Sequence, residues 1–275
     1  MIISENIPVE QRRNIVKPTS DIFVRYLLNS ESHKNLTKSF INAILKDSGK
    51  PLIKHIILRS PFNLAESLTS KESVVDVEAT DNDGKIYDIE IQNIPSPAIF
   101  LRLSYYWAKI FSSQMKKGNQ YENLKSCVVI ALLKEPLYND ILKPHHFSAI
   151  VDMEERNRYF LMPENIFDYH ILELSRFEIN ADAYYTIDYT GQKRKLSPEL
   201  FRWLRFFKDG ARSDFMNHYQ ETDTAVKEAK ETYENFIEED RLWVAQLHSE
   251  LAEMDKNQAL TDATRAGHTA GLKEG

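Results

Sequence analysis

Five polar residues at alternating positions, Asp76, Glu78, Asp88, Glu90 and Gln92, are the part of this chain whose types and spacing could do chemistry. They lie in the stretch V-V-D-V-E-A-T-D-N-D-G-K-I-Y-D-I-E-I-Q, residues 74–92. Val75, Val77 and Ala79 alternate with Asp76 and Glu78, and Tyr87, Ile89 and Ile91 alternate with Asp88, Glu90 and Gln92. Two period-two runs around an Asp-Gly turn predict a β-hairpin with its acids on one face. Cross-strand partners share a face, so their numbers must have the same parity. A two-residue Asp83-Gly84 loop would pair Asp76 with Ile91 and mix the faces. A three-residue loop, Asn82-Asp83-Gly84, keeps them consistent and puts Gly84 where such loops take a left-handed residue beside a G1 bulge. That register sets Asp76 opposite Glu90 and Glu78 opposite Asp88. Like charges directly opposite one another destabilise a sheet, so they need water on an exposed face or a cation on a covered one. Hard divalent cations take carboxylate oxygens, which makes Asp76 and Glu90 candidate metal ligands. The alternative is a hairpin with one wet, acidic face.

The surrounding pattern supplies elements to position this hairpin. K-P-T-S-D opens a helix that Ser20 or Asp21 can cap, with Phe23, Tyr26, Leu27 and Leu28 on its apolar face. A second helix is expected over residues 34–46 and a strand within 51–59. Residues 98–117 read as a helix with Ile99, Leu103, Trp107, Ile110, Phe111 and Met115 on one stripe. Gln114 falls within that stripe. It must either bond a neighbouring backbone group or point into a polar site beside the hairpin. Residues 126–133 are nearly continuously apolar, as in a strand buried on both faces. A helix between this strand and the hairpin implies a crossover onto a shared mixed sheet. Strand-like runs continue through residues 144–175, and Ser197-Pro198-Glu199 caps a short aromatic and basic helix.

From about residue 222 a heptad-like seam runs through Val226, Ala229, Tyr233, Phe236, Trp243, Leu247, Leu251 and Met254. It suits one long helix, serving as a coiled-coil dimer arm or packing back on its own chain. The tail, punctuated by Gly267, Gly271 and Gly275, is expected to fray. The expected organisation is an arm over 1–17, an α/β domain with an α+β mixed sheet over 18–210, and a helical arm over 211–275.

The bulk numbers fit a large intracellular domain. Of 275 residues, 42% are hydrophobic, so a sizeable core can be buried. The single cysteine, Cys127, excludes a disulfide framework within one chain and a cysteine-based metal site, and suits the cytoplasm. No signal peptide or membrane span is expected. The net charge of −6 argues against non-specific attraction to nucleic acid, but the acid excess is local. Residues 220–258 hold eleven acids against four Lys or Arg, whereas residues 91–121 hold no acid and four bases, Arg102, Lys109, Lys116 and Lys117. Such a patch can meet phosphates.

Asp76 followed after a turn by Glu90-Ile91-Gln92 resembles the PD-(D/E)xK nuclease motif, with Gln in place of the usual Lys. More widely, the chain resembles the recombination-promoting nuclease and transposase family of that superfamily. The resemblance runs through S-D-I-F-V-R-Y-L-L (20–28), the hairpin (75–92), R-L-S-Y-Y-W-A-K-I-F-S-S-Q-M-K-K-G-N-Q-Y-E-N-L (102–124), S-P-E-L-F-R-W-L-R-F-F-K (197–208) and the tail. It implies a restriction-endonuclease-like core and Mg²⁺- or Mn²⁺-dependent endonucleolytic cleavage of DNA, linked to recombination or transposition. Asp76 and Glu90 would hold the metal, with Asp21 as an outer partner. Gln92 would orient the attacking water, and Gln114 would face the site. Arg102, Lys109, Lys116 and Lys117 would contact flanking phosphates. A rival reading is a DNA-binding or assembly protein that keeps the fold without the catalysis.

Overall fold

A computed structural model of the chain describes residues 7–59, 61–62, 77–93, 98–135, 167–176, 185–187, 193–212 and 223–274. Three helices come first: α1 (Val9–Ile15), α2 (Asp21–Leu28) and α3 (Lys34–Asp47). The strands β1 (Ile56–Leu58), β2 (Val77–Asp81), β3 (Ile86–Gln92), β4 (Cys127–Leu133) and β5 (Phe167–Glu173) form one five-stranded sheet in that order. The pairs β1/β2 and β2/β3 are antiparallel, and β3/β4 and β4/β5 are parallel. The parallel pair β3/β4 needs a crossover, and α4 (Ile99–Ser113) supplies it. A small hairpin, β6 (Tyr185–Ile187) and β7 (Lys193–Lys195), precedes α5 (Pro198–Asp209), α6 (Thr224–Glu238) and α7 (Asp240–Glu274). This is the mixed α/β architecture with a long C-terminal helix that the sequence predicts. Of the expected β-rich continuation, the part before residue 167 lies outside the described residues.

The hairpin register is the expected one: Glu78 faces Asp88 and Val77 faces Ile89. The Asp81 carboxylate closes the loop, accepting from the backbone N of Asp83 and of Lys85, each at 2.9 Å. Gly84 takes φ +83°, a left-handed conformation that other residues resist.

Each face of the sheet carries its own core. Val77, Ala79, Tyr87, Ile89, Val128, Ile130 and Leu132 face α2, α3, α5, α6 and the start of α7, around Phe23, Phe40, Trp203, Phe236 and Trp243. Ile86, Cys127, Val129, Ala131 and Leu133 face α4 through Ile99, Leu103, Trp107 and Ile110. β4 is buried at every residue because both layers cover it.

Three expectations change. Part of the supposed arm is the helix α1, anchored by Arg12. This guanidinium donates to Ile237 O at 3.0 Å, pairs with Asp240 at 2.9 Å, and lies 4.5 Å from the Trp243 ring centroid. The single C-terminal helix is broken at Glu239, whose extended backbone separates α6 from α7. Val226, Tyr233, Phe236 and Trp243 of the seam pack back on the core, whereas Leu251 and Met254 are exposed. The tail is helical as far as Glu274 rather than frayed.

Arg12 thus joins three helices through charged hydrogen bonds and ring contact. Arg12→Ala is expected to cost about 2–3 kcal/mol, while Leu260→Ser on exposed α7 leaves the denaturation midpoint unchanged. Urea unfolding followed by circular dichroism checks both.

Candidate active site

The even-numbered side chains of β3 lie on the α4 side of the sheet. Asp88 sits beside Val129 and Glu90 beside Ala131, and both neighbours belong to the core beneath α4. Asp88 is 1% exposed and Glu90 4%. A wet acidic face is therefore excluded here: the acids are covered by a helix. Glu78 has a counterion, since Arg59 Nη1 lies 2.8 Å from its Oε1 and Arg59 Nε donates to Thr80 Oγ1 at 2.9 Å. Among the described residues Asp88 has none, and neither of its oxygens has a hydrogen-bond partner there. Burial, and then the charges of Glu90 and Glu78, push its carboxyl well above the usual range. Gln92 closes the row, half-buried, with its amide Nε2 3.5 Å from Glu90 Oε2.

The other predicted residues distribute around this row. Asp76 lies outside the described residues, immediately before Val77 in sequence. Gln114 exchanges hydrogen bonds with the Lys125 backbone, Nε2 to O and N to Oε1, both 2.9 Å, and its Nε2 lies 3.5 Å from Cys127 Sγ. Cys127 pairs with Ile86, so Gln114 stands about 13 Å along β3 from Glu90. The structure does not bring it to Gln92. It pins the end of α4 to the start of β4, aided by Trp107 Nε1 donating to Cys127 O at 3.2 Å. Helix α4 therefore runs back along β3. Arg102 lies near its start, half-buried, with Nε and Nη2 unpartnered among the described residues. Lys109 lies further along, and Lys116 and Lys117 follow the helix end; all three are exposed. Asp21 is the exposed first residue of α2, with Ser20 as the N-cap. It is near the carboxyl edge of the sheet, on the opposite face from Glu90: Lys17 and Thr19 line one cavity with Lys134, and Lys134 N donates to Gln92 O at 2.9 Å. Burial pushes the Cys127 thiol up to about 12, which removes it as a nucleophile near neutral pH.

The sequence reading missed a buried acid at the other end of the sheet. Asp168, fully buried at the opposite end of the sheet, meets Lys50 Nζ at 2.9 Å, His170 Nε2 at 3.2 Å and Lys85 Nζ at 3.8 Å. Burial raises its carboxyl, but His170 and Lys50 outweigh that and hold it down at about 2. His170 is its neighbour two residues on in β5, but the lysines come from the α3–β1 connection and the hairpin turn, which no local spacing signals. Lys85 is thereby committed away from Gln92.

A family model described as PD-(D/E)XK nuclease family transposase matches residues 18–263. The chain belongs to that family, in agreement with the resemblance. No curated protein and no solved structure matched the chain. Nucleases of this kind generally use divalent metal ions. Among the described residues, no three His, Cys, Asp or Glu converge on one metal position. The donor chemistry still fits a hard cation: buried carboxylates dominate the row, and both Asp88 oxygens are unpartnered.

Asp168 and Asp88 predict opposite responses. Asp168→Asn is expected to destabilise at pH 7. Because its folded value lies below the ordinary 3.8, that deficit shrinks as pH falls towards about 2. Asp88→Asn, measured with chelator at pH 7, is expected to stabilise by about 1–3 kcal/mol by removing an unpaired buried carboxylate. Thermal unfolding of the two variants against the parent, Asp168→Asn at pH 7 and pH 3, reads both.

Proposed function

We propose that this member of the PD-(D/E)XK nuclease transposase family is a divalent-metal-dependent DNA endonuclease acting in recombination or transposition. The observation that carries the reading is the covered acid row on β3, with Asp88 uncompensated and Gln92 at its open end. Glu90 and Asp76 would hold the ion; Asp21, at the same edge but on the opposite face of the sheet, would act on it only from outside its coordination shell. When bound, a divalent cation supplies a water of lowered pKa and offsets charge on the scissile phosphate. Helix α4 keeps bulk water off Glu90, which strengthens the carboxylate's pull on a cation. Gln92 orients the attacking water through its amide. Arg102 meets the strand near Gln92, and Lys109, Lys116 and Lys117 extend the phosphate contacts along α4. These contacts set affinity rather than sequence preference. Gln114 acts by positioning, through Lys125. A second copy pairs through distal α7, where Leu251 and Met254 are exposed.

One observation favours the non-catalytic alternative. Gln92 is neutral and cannot stabilise developing charge as a lysine ammonium would. Plasmid cleavage with Mg²⁺ or Mn²⁺ separates the readings. Asp76→Ala and Glu90→Ala are expected to reduce cutting to background, and Gln92→Ala to lower it about 10- to 100-fold. Cutting by all three at the parent's rate removes the assignment. DNA binding with no cleavage under any divalent ion favours the alternative.

A further inference from the structure

At the carboxyl ends of β4 and β5 lies a cavity of about 440 Å³, on the face of the sheet away from α4. Its wall brings together Lys17 from the turn before α2, Lys134 directly after β4, and Lys208 and Arg212 from the end of α5 and the turn beyond it. Among the described residues the acids in the wall are Glu135 and Asp209, and Asp209 is paired with Arg205 at 2.8 Å. Lys17 and Lys134 are the two bases that matter here.

Two details concern the Lys17 side of this wall, where no acid among the described residues meets the ammonium. The Lys17 ammonium is held below the usual lysine range, by burial first and then by the charge of Lys134. Its Nζ donates at 2.7 Å to the neutral Arg13 carbonyl rather than to an acid. Two lysines that repel one another across a cavity favour an anion between them. The amino end of α2, four residues after Lys17, adds a partial positive charge on the same loop. The cavity also adjoins the candidate site, since the backbone of Lys134 is bonded to that of Gln92.

We propose that this cavity is a phosphate subsite, taking a backbone phosphate of the same DNA strand that is presented to Glu90 and Gln92. The DNA rests on the nuclease reading above; the demand for an anion rests on the lysines alone. The subsite draws the strand around the carboxyl edge of the sheet, with Lys17 and Lys134 on one side of Gln92 and Arg102 on the other. One flanking phosphate is thereby fixed while the next faces the acids.

The test is fluorescence anisotropy of a labelled duplex with EDTA across a salt series, on the full chain. The variants are Lys134→Gln, which changes an exposed side chain, and Lys17→Gln combined with Lys134→Gln. The double variant is expected to bind about 10-fold more weakly, with a log–log salt slope shallower by about 1–2, and the single variant to lose about half of that slope change. Parent-like affinity and slope in both variants overturn the proposal, as does a parent that does not bind DNA. If inorganic phosphate raises the parent's melting temperature but not the variants', while duplex binding is unchanged, the site takes free phosphate and the DNA assignment falls. Because no divalent ion is present, lysine-dependent binding without any metal-dependent cleavage keeps the subsite and removes the nuclease reading. Cleavage that needs Glu90 but binding indifferent to the lysines does the reverse.

Discussion

A carboxylate buried beside another carboxylate, with no ion-pair partner among the described residues, is the constraint on which this structure turns. Removing a charge from water costs several kcal/mol unless something compensates it. Elsewhere the fold supplies that compensation. Glu78 has Arg59, Asp168 has Lys50 and His170, and Glu234 has Arg13 and Lys230. On the α4 face of β3, Asp88 is left without a partner among the described residues, between Glu78 and Glu90. An apolar core would gain stability by replacing it. A centre that must attract a hard cation gains from the mismatch, because the ion then binds where the folded chain lacks positive charge.

The scaffold holds that mismatch in place from both sides. Helix α4 is fixed to the strand it crosses to by Trp107 and Gln114, so its apolar stripe covers the acids rather than sliding off them. The opposite face of β3 is packed by the large helical layer, in which Phe23 meets Tyr233 and Phe236 edge-on at 5.2 Å each. Arg12 adds α1 and the α6–α7 junction to that layer. A rigid sheet with both faces committed leaves the carboxyl edge of β3, β4 and β5 as the place where polar groups can meet a ligand. Gln92, Lys134 and Lys17 all gather there.

Much of this was legible from local pattern. Side-chain parity gave the hairpin register and the role of Gly84, and the continuous apolar run of β4 gave a strand covered twice. The position of Gln114 in an apolar stripe signalled an amide with something to bond, and the backbone of Lys125 answers it. What the sequence could not carry were facts set by distant partners. Whether Asp88 and Glu90 are wet or covered depends on where α4 lands. The Asp168 cluster joins residues about 120 positions apart, and Arg12 reaches the α6–α7 junction from the other end of the chain. The break at Glu239 interrupts a seam whose periodicity reads as one helix, because packing of Trp243 and Arg12 there outweighs helical continuity.

Family membership and the covered acid row support the proposed account, in which the β3 face holds a divalent cation for work on DNA. The most direct test is a manganese soak of crystals of the full chain, with the anomalous map read at the β3 face. The account predicts a peak touching the Glu90 carboxylate, shared with Asp76. An anomalous map with no peak on that face at saturating manganese would contradict it.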